Sequence, residues 1–149
     1  MKPLVVLIAV FLLSLLITWL ASGEADQMLS GRIAMSAMLL FTSIGHFKFR
    51  KGMALMLPAF IPAKEFIVCI TGILEIVAAV GLLLRATQYV TGICLIIFFL
   101  FILPANIYAS MKNINYETGE YDGNGMKYLW FRIPLQALFI FWVYWFALR

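Results

Sequence analysis

Five apolar runs, at residues 3–21, 32–47, 66–84, 88–110 and 128–148, divide this chain, with polar breaks between them. A helix rises about 1.5 Å per residue and needs about 20 residues to cross ~30 Å of hydrocarbon. Each run is of that order, so the chain reads as a set of membrane-spanning helices. A transmembrane barrel would show strands of about ten residues with alternating polarity, and that pattern is not seen. Composition agrees: 64% of the 149 residues are hydrophobic and 12% charged, against about half and a quarter in soluble domains. The expected fold class is all-α, a polytopic membrane helical bundle.

Two segments are expected: residues 1–30, an N-terminal transmembrane helix with a short external loop, and residues 31–149, a four-helix membrane domain. The first run shares features with a secretory leader, with Lys2 ahead of it and "ASG" at its end. Its apolar core exceeds the about 7–15 residues of a leader, and its basic region is one lysine, so a retained span is expected. Lysines and arginines set orientation. With Lys2 on the cytoplasmic side, Lys48, Arg50, Lys51, Lys64, Lys112 and Lys127 join it, and Arg32, Arg85 and Arg149 lie opposite. Seven against three favours N-in, C-out. The net charge of +4 therefore reads as topology and headgroup contact. Its basic residues are scattered singly, so the expected partner is the lipid bilayer and not nucleic acid.

Cys69 and Cys94 fall near opposite ends of antiparallel spans, roughly 15 Å apart along the axis. A disulfide needs Cα atoms within about 7 Å, so both are expected to be buried small hydrophobes. "KFRKGMALMLPAFIPAKE", residues 48–65, is too short to span and too apolar for a free loop. Pro58 and Pro62 forbid one long helix there. An interfacial hairpin fits, either as a plain connector or as a lipid-side doorway to a pocket. Residues 112–127, polar and glycine-bearing, read as a solvent loop.

Glu75 lies near the centre of "TGILEIVAAVGLLL". A lone carboxylate at that depth costs on the order of 2.5–3.5 kcal/mol on insertion scales. Gly72, Ala78 and Ala79 make its helix face small enough for close packing. Partners are sought by depth: Arg132 with Gln136 at i+4, Asn106 beside Pro104, which should loosen the fourth span, and His46 near the end of the second. A single buried network of Glu75, Arg132, Gln136, Asn106 and His46 is expected, with Arg132 holding Glu75 ionised. That network is either a ligand or proton site or a polar clasp fixing helix register. Metal chemistry finds too few ligands, and a bis-histidine haem would need a second histidine. Binding of an amphipathic molecule such as a quinone or lipid stays open.

At these residues the chain resembles the DoxX-like family of small bacterial membrane proteins. The resemblance rests on Gly45, His46 and Phe47, on Pro58 and Pro62, and on Gly72 and Glu75. It continues through Pro104, Ala105 and Asn106 to Arg132, Pro134 and Gln136. It implies a four-helix membrane bundle in the bacterial inner (cytoplasmic) membrane, from which residues 3–21 depart as an additional helix. That family is linked to quinone-dependent membrane redox complexes, and distant animal relatives act as membrane-protein chaperones. The resemblance therefore implies either a quinone or lipid ligand with a membrane redox partner, or a scaffold with a client protein.

Overall fold

Each apolar run is a helix. The computed structural model describes residues 2–123 and 125–149, without the Tyr128 side chain. The long helices are α1 (Lys2–Ser22), α2 (Gln27–Lys48), α4 (Lys64–Leu83), α5 (Gln88–Met111) and α6 (Gly125–Val143). Short α3 (Arg50–Leu55) joins α2 to α4, and α6 runs on into a π-helical turn, Tyr144–Leu148. Among the described residues the only β pairing is an isolated bridge, Asn115 to Glu120. Five helices, with α6 counted through its π turn, are long and apolar enough to cross a membrane. This is a multi-pass helical membrane bundle.

The boundaries follow from local chemistry. α2 starts at Gln27, earlier than the apolar run, because Asp26 caps it by accepting the Leu29 N–H at 2.9 Å. Pro58 and Pro62 confine α3 to six residues and delay α4 until Lys64. Pro104 lies within α5 and Pro134 within α6, and both helices continue through them.

α2 occupies the centre: 44% of its span is buried, against 11–28% in the other four. It is also the least apolar of the five, because it faces protein where the others face lipid. Small residues suit that position by letting backbones approach. Ser30, Ser36 and Ser43 are all buried, and Ser36 Oγ donates to the Ala79 carbonyl of α4 at 2.8 Å. α1 lies along α2 and sends Leu7 into the same core as Met35, Leu82 and Val143. The far end of α6 returns to α2, where Trp142 Nε1 donates to the Gly31 carbonyl at 2.9 Å. Phe146 fills the notch above that glycine, and a Cβ on Gly31 would meet its Cγ at 2.2 Å. Phe11 of α1 completes this aromatic group, edge-on to Trp142 at 5.0 Å.

The two cysteines are free, Cys69 half-buried and Cys94 exposed, which corrects the expectation that both are interior. In a membrane protein an apolar helix face turned outward meets lipid, so apolar context does not imply burial in the bundle. Lys2 Nζ lies 3.1 Å from Glu117, which ties the start of α1 to the loop between α5 and α6. The ends of α2 and α5 and the starts of α4 and α6 share that end of the bundle.

Candidate functional site

Glu75 is 5% exposed, on the face of α4 that packs against α2. Thr42 Oγ1 donates to its Oε2 at 2.9 Å, and His46 Nε2 lies 3.4 Å from its Oε1. His46 Nδ1 in turn meets Thr71 Oγ1 at 3.0 Å. The arrangement is reciprocal. Thr42 precedes His46 by four residues on α2, and Thr71 precedes Glu75 by four on α4. Each threonine serves the ionisable group of the opposite helix, as antiparallel register allows. Gly72 makes the approach possible, since a Cβ there would stand 2.8 Å from His46 Cβ.

Arg132 belongs to a second cluster, between α5 and α6. Its Nη1 donates to Asn106 Oδ1, and its guanidinium lies over the Tyr116 ring, 5.6 Å from the centroid. Asn106 Nδ2 donates to Gln136 Oε1 at 3.4 Å, and Gln136 Nε2 donates to the carbonyl of Phe99. That carbonyl is one residue before the one whose helical donor Pro104 removes. Asn106 and Gln136 are both buried.

The expected single network is therefore two, and the expected pairing of Glu75 with Arg132 is corrected. His46, not Arg132, faces the Glu75 carboxyl. The cause is helix neighbourhood rather than depth. α4 packs chiefly on α2, and α6 chiefly on α5 and its own π turn, so the faces bearing Glu75 and Arg132 have different partners. Thr42, Thr71, Tyr116 and the Phe99 carbonyl were not singled out in the sequence. The four-residue spacing of Thr42 to His46 and of Thr71 to Glu75 was the available signal for the first two.

Space is distributed unevenly. Beside Arg132 and Asn106 there is about 10 Å³, lined also by Met56 and Tyr116. That is about what one water needs. An open recess of about 800 Å³ lies outside it, between α3, the start of α4 and the loop at Thr118 and Gly119. Ala54, Leu55 and Phe66 give it apolar walls, and Lys51 and Lys64 bring cationic side chains beside the carboxylate of Glu65. Lys64 Nζ also donates to the Leu57 carbonyl at 2.9 Å, which holds the proline hairpin to α4. Near this recess Arg50 Nε pairs with Glu65 at 2.9 Å, and Nη1 reaches Cys69 Sγ at 4.0 Å. The bond to Cys69, and then the Glu65 charge, push the Arg50 guanidinium above its ordinary value. Among the described residues no three His, Cys, Asp or Glu side chains gather as a metal cluster.

No curated protein and no solved structure matches this chain. A family model does match, over residues 35–147, from within α2 to the π-helical turn and leaving α1 outside. The chain belongs to that family, described as a domain of unknown function, DUF8561.

Proposed function

We propose that this protein binds an amphipathic, lipid-like or quinone-like molecule with an anionic or polar head, at the α3 end of the bundle. The observation that carries this reading is the recess of about 800 Å³, within the ~300–1,000 Å³ typical of small-molecule sites. Its pairing of apolar walls with Lys51 and Lys64 suits a ligand lying across the membrane boundary. The buried clusters then hold the helix pairs beneath the recess, and the small space at Arg132 leaves the ligand outside them. The DoxX-like resemblance supports the same reading, with a four-helix core from α2 to α6 and a link to quinone-dependent complexes. We place the α3 end on the cytoplasmic side of a bacterial inner membrane, on the seven-to-three excess of lysine and arginine.

Native mass spectrometry of the gently solubilised protein tests this reading. Wild type should carry a discrete bound amphiphile, and Lys51→Glu should lose it while keeping the helical content of the wild type. Retention by Lys51→Glu, or a wild type without an adduct, would count against the recess. A second reading, a scaffold or assembly factor gripping a client protein, is favoured by one observation. The polar clusters are satisfied within helix pairs and enclose no ligand-sized space. Stoichiometric co-purification of one membrane protein, without a small molecule, would support it.

A further inference from the structure

We propose that His46 and Glu75 jointly bind one exchangeable proton, carried either by Nε2 or by the carboxyl, and form an electrically neutral proton-binding site inside the membrane. The inference stands apart from the amphiphile reading and does not depend on it.

The argument is an inventory of donors. A threonine hydroxyl has one proton to give. Thr71 Oγ1 lies 2.8 Å from the Val68 carbonyl, an acceptor that can take no other role, and 3.0 Å from His46 Nδ1. With the hydroxyl proton on Val68, Nδ1 must carry a hydrogen and donate to Thr71. On the carboxyl side, Thr42 Oγ1 lies 2.9 Å from Oε2 and 3.0 Å from the Leu39 carbonyl, and Oε1 faces Nε2 at 3.4 Å. Two neutral arrangements fit these contacts. In one, Nε2 is bare and the carboxyl carries the proton, on Oε1, or on Oε2 where Thr42 gives its own proton to Leu39. In the other, Nε2 carries it and the carboxylate is ionised. Each places one proton on the pair and leaves it with no net charge. An isolated buried ion of either sign is the costly alternative.

Their surroundings favour a self-contained pair. Of the other ionisable side chains on the adjoining elements, Arg50 is engaged with Glu65 and Cys69, Lys64 with the Leu57 carbonyl, Lys48 over the Phe49 ring, Arg32 with the Met28 carbonyl and Arg132 with Asn106, and Lys51 lines the open recess. The His46 side chain is 17% exposed and that of Glu75 6%. Exchange is therefore through the imidazole, from the α3 end.

The chain contains one histidine, so labelling with [15N]histidine reports His46 alone. The unmodified protein in lipid nanodiscs is examined near neutral pH by 15N nuclear magnetic resonance and by infrared spectroscopy. Among the described residues Glu75 is the buried acid, so a protonated carboxyl band at neutral pH belongs to it. The expected result is a protonated Nδ1 together with one of two complementary states. Either Nε2 is bare and the carboxyl band is present, or Nε2 is protonated and the band is absent. A bare Nδ1 with a protonated Nε2, meaning that Thr71 donates to the ring, overturns the proposal. So does a count of two protons or none over Nε2 and the carboxyl together. Thr71→Val supplies a second check, because losing the acceptor for Nδ1–H should produce a mixture of tautomers. An unchanged single tautomer in that variant would also argue against the inventory.

Discussion

Gly72→Ala probes the contact that brings the two ionisable helices together. The new Cβ would stand 2.8 Å from His46 Cβ and 3.3 Å from two carbons of the Phe47 ring. Carbon atoms rest about 3.5–4.0 Å apart. The Phe47 ring can turn aside, but His46 Cβ is fixed to the α2 backbone. α2 and α4 must therefore part by about 0.7–1.2 Å at this level. Overpacking of this kind costs about 1–3 kcal/mol, and alanine returns about 1 kcal/mol of helix propensity relative to glycine. The balance is a net loss of about 1 kcal/mol, which lowers the unfolding midpoint by about 2–4 °C in a chain of this size. The same separation lengthens the His46–Glu75 approach from 3.4 Å. Thermal unfolding in detergent reads the first effect, and the 15N signal of His46 reads the second. A raised midpoint with an unchanged His46 signal would refute the idea that this glycine exists for close approach.

Two further substitutions separate the parts of the bundle. Gln136→Leu removes the donor to the Phe99 carbonyl and leaves buried Asn106 Nδ2 without that acceptor. It should cost about 1–3 kcal/mol in denaturant unfolding yet leave the His46 signal unmoved, because the clusters are distinct; a shifted His46 signal would join them. Trp142→Phe loses the indole bond to the Gly31 carbonyl at 2.9 Å. The expected loss is about 0.5–1.5 kcal/mol, measured by thermal unfolding, and an unaltered midpoint would mean that this bond adds nothing.

The fold was legible because a bilayer imposes a length on any helix that crosses it. All five spans could be read from apolar runs, and the two prolines of the hairpin marked where α3 must stop. The site was legible only in its members. His46, Glu75, Asn106, Arg132 and Gln136 all take part in polar clusters, yet depth along a helix does not say which helix lies beside which. Glu75 and Arg132 seemed matched by depth, whereas the pairing of α4 with α2 and of α6 with α5 assigned them different partners. Thr42 and Thr71 escaped notice because threonine is unremarkable in a span until its spacing to an ionisable residue is counted. The recess could not be foreseen, since it is enclosed by α3 and a loop more than 50 residues later, at Thr118 and Gly119.

The notch at Gly31 has a bearing on how the protein is made. The side chains that close it, Trp142 and Phe146, lie far along the chain, with 111 residues separating Gly31 from Trp142. At about 5–20 residues per second of synthesis, α2 leaves the ribosome about 6–22 s before the residues that cover it. The central helix of the finished bundle thus waits for the last span before its packing is complete. During that interval its serine-rich face has α1, and later α4, but neither the Trp142 donor nor the Phe146 ring over Gly31. Closure of the bundle at this level is therefore a late event in its assembly.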